Sequence, residues 1–172
     1  MSNCDLTSGL NAQECRDSVG GIIEAYITNF NNVSAVTESA SYVTAIVMSG
    51  GTGFETFKPN KNSSTWNQNI LGDEVSNTLG FEPNLNLVFS KNEAEDINTI
   101  KLVARANTVA IVKERSGRYY LLGQDEGLVL SEGSFEAGLT MDNLNGWTVN
   151  LKGAEKDPAP EIDPTIIAAL LN

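Results

Sequence analysis

The chain has 172 residues, 41% hydrophobic and 19% charged, an ordinary globular composition and enough length for one domain with a sizeable core. Twenty-two acidic against 11 basic residues and no histidine give a formal net charge of −11. Such a surface repels phosphate backbones, and the commonest metal ligand and general base is missing.

No apolar run approaches the ~18–20 residues of a membrane helix. The first residues, Met1 to Thr7, carry neither the basic nor the apolar region of a signal peptide. The expectation is a protein made in the cytoplasm with no membrane partner. Cys4 and Cys15 fit free thiols of a reducing compartment better than a disulfide, and their wide spacing without a second pair does not make a metal site.

Residues 1–20 read as a polar N-terminal arm. The β-branched and aromatic stretch Ile22–Thr28, bounded by Gly20-Gly21 and Asn29–Asn32, predicts a first strand. Tyr42–Met48 predicts a second, and Phe54–Phe57 a short third after the turn Ser49–Gly53. Residues 58–64 are all loop formers, so 49–64 is expected to project as a long hairpin loop reaching a neighbouring subunit, with Thr52, Phe54, Phe57, Lys58 and Lys61 as interface residues. Thr65–Ile70 and the alternating Leu85–Phe89 look like a strand pair.

Between Glu93 and Ala106 the rhythm changes. Ile97, Ile100 and Ala104, with Val103 beside them, form one apolar stripe of helical period. Ser90 and Glu93 have capping-box spacing, and Glu95 and Asp96 complement the helix dipole. One amphipathic helix lying on a sheet face is expected. Thr108–Lys113 and Tyr119–Leu122 then flank a glycine-containing turn, Gly127–Leu130 and Phe135–Thr140 follow, and Trp147–Leu151 comes after an Asn-Gly turn. The fold class expected is mainly β: a sandwich or barrel over 21–153, with one flanking helix and a long β-hairpin loop. Residues 154–172 form a C-terminal arm with a stiff Pro158-Ala159-Pro160 linker. Its apolar end, Ile166, Ile167, Leu170 and Leu171, is open to two readings: a helix folded back on its own domain, or a segment docking on a neighbour.

No motif carries catalytic chemistry. The glycines of Ser49–Gly53 lack the Gly-Lys-Ser/Thr ending of a phosphate loop. Asp125-Glu126 and Asp142–Asn145 lack calcium-loop spacing and sit where turns need polar residues. No catalytic, cofactor-binding or metal-binding residue is assigned, and the expectation is a protein that is not an enzyme.

Three stretches resemble phage tail-tube and related virion structural proteins: Cys15–Ile27, a polar arm running through glycines into a strand; Ile97–Leu122, a helix, a strand and a hairpin; and Gly138–Glu155, a closing strand preceded by an Asp…Asn-Gly-aromatic turn. The resemblance implies a β-sandwich or barrel whose copies form rings, commonly hexameric. These would stack with each other and with other tail or virion proteins around a channel that carries DNA without sticking to it. The location implied is the virion. Two further readings stand beside it: a capsid decoration or head-fibre protein, and a carbohydrate-binding module using Trp66, Trp147, Tyr119 and Tyr120.

Overall fold

The computed structural model describes residues 19–40, 42–75, 77–90, 93–140 and 142–172. Cys4, Cys15 and the N-terminal arm through residue 18 lie outside the described residues. Among the described residues there are eleven strands and two α-helices. The strands are β1 (Ile22–Asn29), β2 (Val33–Ser39), β3 (Tyr42–Met48), β4 (Glu55–Phe57), β5 (Thr65–Asp73) and β6 (Thr78–Ser90). After helix α1 (Ala94–Arg105) come β7 (Thr108–Glu114), β8 (Tyr119–Leu122), β9 (Leu128–Glu136), β10 (Gly146–Gly153), β11 (Glu161–Ile162) and helix α2 (Pro164–Leu170).

The strands make two layers. One runs β2-β3-β11-β8-β7-β1-β4 and the other β9-β10-β6-β5. They are joined at a corner where Thr108 of β7 pairs with Leu128 of β9. Residues alternate faces along a strand, and β7 is covered on both faces, so that Thr108–Val112 are all buried. One face of β1, β7 and β8 (Ile27, Ala110, Val112, Leu122) meets Leu85 and Leu87 of β6 and Val149 and Leu151 of β10 between the layers. The opposite face (Tyr26, Val109, Ile111, Leu121) packs against Val43, Ile46, Phe54, Ile162, Ile167 and Leu170. The chain is therefore a β-sandwich-like fold whose first layer has a second core on its outer side, closed by α2.

The expected helix is present as α1, but its cap differs from the expected one. The Asp96 carboxylate accepts from the Glu93 backbone N–H at 3.0 Å, so the capping box begins at Glu93. Its apolar stripe is only half used: Ile100 and Val103 pack against the inter-layer core, whereas Ile97 and Ala104 are exposed, as is Leu102 outside the stripe. A second helix, α2, starts at Asp163, whose carboxylate accepts from the Thr165 N–H at 2.9 Å, with Pro164 in the first turn where a missing N–H costs nothing.

The long hairpin is real but lies elsewhere than expected. It is β5–β6, paired in unbroken register from Thr65–Asn86 to Asp73–Thr78. Segment 49–64 is folded down onto its own domain. Phe54 is fully buried, and β4 pairs with β1 through Ala25–Phe57, Tyr26–Thr56 and Ile27–Glu55. The Asn60 N–H donates to the Val88 carbonyl at 2.7 Å and the Ser64 hydroxyl accepts from the Val88 N–H at 2.9 Å. At Gly53 a Cβ would lie 2.9 Å from the Leu170 carbonyl, so only glycine lets this turn pass so close to the end of α2.

Candidate assembly interface

The β5–β6 hairpin outgrows the layer that supports it. Along β6, pairing with β10 extends from Ser90 to Asn84, and one further bridge joins Phe81 to Glu155 with two 2.8 Å backbone hydrogen bonds. Outward from Phe81, among the described residues, only β5 pairs with this strand. There Ile70, Leu71, Val75 and Leu79 are 70%, 53%, 97% and 66% exposed. A two-stranded ribbon is marginal in water by itself; Ile70 and Leu79 lie on one of its faces and Leu71 on the other, so both faces expose apolar side chains of the kind that mark surfaces meeting something else. These residues were not singled out by the sequence. The signal that points to them, apolar residues on both sides of the Asp73–Asn77 turn, is short and interrupted by Gly72 and Gly80.

A second feature lies at the other end of the hairpin. An open cleft of about 870 Å³ separates α1 from β1 and β4, lined among others by Phe57, Lys58, Phe89, Leu102, Val103 and Trp147. Among the named strands of the described residues β4 pairs only with β1, and the chain end lies against its start, where Phe54 is bridged to Leu171; no strand runs beside the rest of its other edge. The acids of the lining are engaged: Glu55 accepts from the Asn172 side-chain amide at 2.8 Å, and Asp96 from the Glu93 N–H. Lys58 has no ion pair among the described residues. The Phe57 and Phe89 rings lie 6.1 Å apart at 56° on the cleft wall.

The expected interface residues divide. Thr52, Phe57 and Lys58 line this cleft, and Thr52 also closes its own turn by donating to the Ser49 carbonyl at 2.6 Å. Phe54 is spent in the second core. Lys61 is exposed on the other side of the loop, where its carbonyl accepts from Arg115 at 2.8 Å. At the C-terminus Ile167 and Leu170 are buried in the domain's own core, with Ile166 and Leu171 packed against it. Of the two readings of that segment, the structure shows the helix folded back. Phe54 cannot be both a fully buried core residue and an exposed anchor, and the same holds for Ile167 and Leu170.

The four aromatics of a sugar platform do not form one flat exposed row. Trp66 and Tyr120 pack on each other at 4.9 Å, with the indole N–H donating to Glu114 at 2.9 Å. Tyr119 packs on the second core, and Trp147 lies 5.0 Å from Phe135. All four are half-buried.

The most shifted carboxyl is Glu155. Burial, and next to it the charge of Asp125, push it up to about 7, against the pull of the backbone N–H groups of Gln124 and Asp125. At the other end of the sheet Glu24 is held below the usual carboxylate range, first by the Tyr26 hydroxyl that donates to it at 2.7 Å and then by Lys113 at 3.2 Å. Among the described residues no group of three or more acidic or thiol side chains could hold a metal ion, and no helix is long and apolar enough to cross a membrane. Neither a protein-family model, nor a curated protein, nor a solved structure matches the chain. What fold and surface define is a class: a β-sandwich-like domain with a projecting two-stranded apolar hairpin and an unpaired strand edge beside an open cleft.

Proposed function

We propose that this protein is a self-assembling structural subunit, and that its assembly is the stacked-ring tube of a phage tail. The observation that carries the reading is the β5–β6 hairpin, whose unsupported end exposes Ile70, Leu71, Val75 and Leu79. Such an end is stabilised by burial in a second copy, each large apolar side chain contributing about 1.5–3 kcal/mol when fully covered. The sequence resemblance supplies the tail-tube part of the proposal and, with it, a location in the virion. A net charge of −11 is compatible with a channel through which DNA moves without forming phosphate contacts. The role is architectural rather than catalytic.

Sedimentation and negative-stain imaging of the purified protein test the reading. Rings or tubes are the expected result. A single-subunit mass at every concentration overturns self-assembly, and particles that only coat preformed capsids overturn the tail-tube part in favour of a decoration protein.

A further inference from the structure

We infer that the free edge of β5 pairs with β5 of a second copy, antiparallel, about a two-fold axis at Gln68. The inference goes beyond the tube reading and does not need it, since it concerns the backbone edge of the hairpin and not its apolar end.

The sheet path ends at β2 on one side and at β5 on the other, and the two edges are built differently. Folded proteins blunt a free edge with bulges, charges, proline or brevity. Strand β2 has irregularities between Val33 and Ala35 and between Thr37 and Glu38, and it carries the Glu38 charge. Strand β4 is three residues long. Strand β5 has none of these devices. It keeps unbroken register with β6 over nine residues, and from Thr65 to Gly72 it holds no charged residue and no proline.

Which backbone groups this edge offers follows from β6. Phe81 exchanges both its N–H and its carbonyl with Glu155 on the β10 side, at 2.8 Å each. Those groups point away from β5, so Phe81 and Ile70 are a non-hydrogen-bonded pair. Ile70 therefore turns its own N–H and carbonyl outward, and with the strand period of two so do Gln68 and Trp66. None of these backbone groups has a hydrogen-bond partner among the described residues. An added strand satisfies them.

The side chains say which strand fits. Trp66-Asn67-Gln68-Asn69-Ile70 has the same pattern in both directions: apolar, Asn, Gln, Asn, apolar. Turned about Gln68, an antiparallel copy sets Trp66 opposite Ile70, Asn67 opposite Asn69 and Thr65 opposite Leu71. The outward backbone groups of Trp66, Gln68 and Ile70 then meet one another. Ile70 and Leu71, 70% and 53% exposed, each gain a cross-strand neighbour on their own face. Moving the axis to Asn69 would set Trp66 against Gly72 and Asn67 against Leu71, so the pattern selects one register. The same patch serves on both subunits, which makes the contact isologous and closes it at two copies.

Cross-linking tests the pairing and its register. Asn67→Cys and Asn69→Cys, each in a Cys4→Ser, Cys15→Ser background, are mixed 1:1 and mildly oxidised. In the paired edge these two positions face each other as a non-hydrogen-bonded pair, with Cα atoms about 4.5 Å apart, within reach of a disulfide. Equivalent positions are diagonal and about 7–8 Å apart, beyond that reach. The mixture is expected to give a covalent dimer on a non-reducing gel, and either variant alone is expected to give none. Adding Ile70→Pro to both removes an outward donor where an edge strand tolerates proline. It is expected to abolish the cross-link and to leave the melting profile unchanged.

No covalent dimer in the mixture, or one that survives Ile70→Pro, overturns the edge pairing. If the wild type still forms rings or tubes, the tube reading stands without it. A single-subunit mass at every concentration overturns both.

Discussion

Asp125 and Glu155 clasp each other across the base of the hairpin. The Glu155 carboxylate accepts from the Asp125 backbone N–H at 2.9 Å, and the Asp125 carboxylate accepts from the N–H of Lys156, the next residue, at 2.9 Å. Glu155 also forms the backbone bridge to Phe81, so this pair ties the β8–β9 turn, the hairpin and the start of the C-terminal segment together. The small cavity they share is lined by Glu38, Gln124 and Asp157 as well, which adds negative charge and no basic side chain.

The clasp has a pH dependence whose sign is set by its proton. Folded Glu155 titrates at about 7 against an ordinary 4.5, so between those values the folded state binds more protons than the unfolded one. Stability from this group is greatest below about 4.5 and drains away as pH rises through 7. Glu155→Gln is expected to flatten that fall and to melt higher than wild type at pH 8. Denaturant titrations of both proteins from pH 4.5 to 8 check this; parallel curves would show that Glu155 is not the group responsible.

Phe54 is a core residue. Phe54→Ala is expected to cost about 3–5 kcal/mol of folding stability, measured by urea unfolding at protein concentrations below the onset of assembly. A loss below 1 kcal/mol would mean that its burial beside Ile167 and Leu170 is dispensable.

Leu71→Ser and Leu79→Ser act on the exposed end of the hairpin. Each is expected to raise the protein concentration needed for assembly by tenfold or more, since burying a leucine contributes about 1.5–3 kcal/mol and 1.4 kcal/mol is tenfold. The melting temperature of the unassembled subunit should stay put. A fall in that temperature with unchanged assembly would place these side chains in the fold rather than at the contact.

Gly53→Ala tests the closure of the second core. Its new methyl group would meet the Leu170 carbonyl at 2.9 Å and the Asn172 side chain at 2.5 Å. Destabilisation of about 1–3 kcal/mol is expected, with faster amide exchange at Phe54 and Asn172, whose N–H groups donate to the Leu170 and Phe54 carbonyls. Protection equal to wild type at both amides would contradict it.

Much of the fold was legible where pattern and burial agree. Tyr42–Met48 is β3 residue for residue, and Lys113–Leu122 is a hairpin with Gly117 at φ 85° in its turn. Elsewhere local cues and tertiary structure diverge. Ser131–Ser134 reads as a turn, yet β9 runs through it with an irregularity opposite Asn150–Leu151 that absorbs one extra residue. Pro83 reads as a strand breaker, yet it sits just beyond the last β6–β10 pair, Asn84–Lys152, where a missing donor is tolerated. Strand β2 is exposed at most positions and lacks the alternation that would reveal it. The interface was the least legible part. Loop composition at 49–64 pointed outward, but Phe54, Phe57 and Pro59 hold that loop against the body, and only the sheet register shows which hairpin outruns its support.

The length of β6 has a mechanical consequence. Seven registered pairs clamp its inner half to β10, while its outer end reaches past the body. Tension applied at Val75 along the strand therefore loads those backbone bonds in shear, all together, instead of peeling them open one by one. In an assembly joined through this hairpin, strain arriving from a neighbour would pass straight along the strand to Phe89 and Trp147, making β6 a tie-rod from one copy to the next.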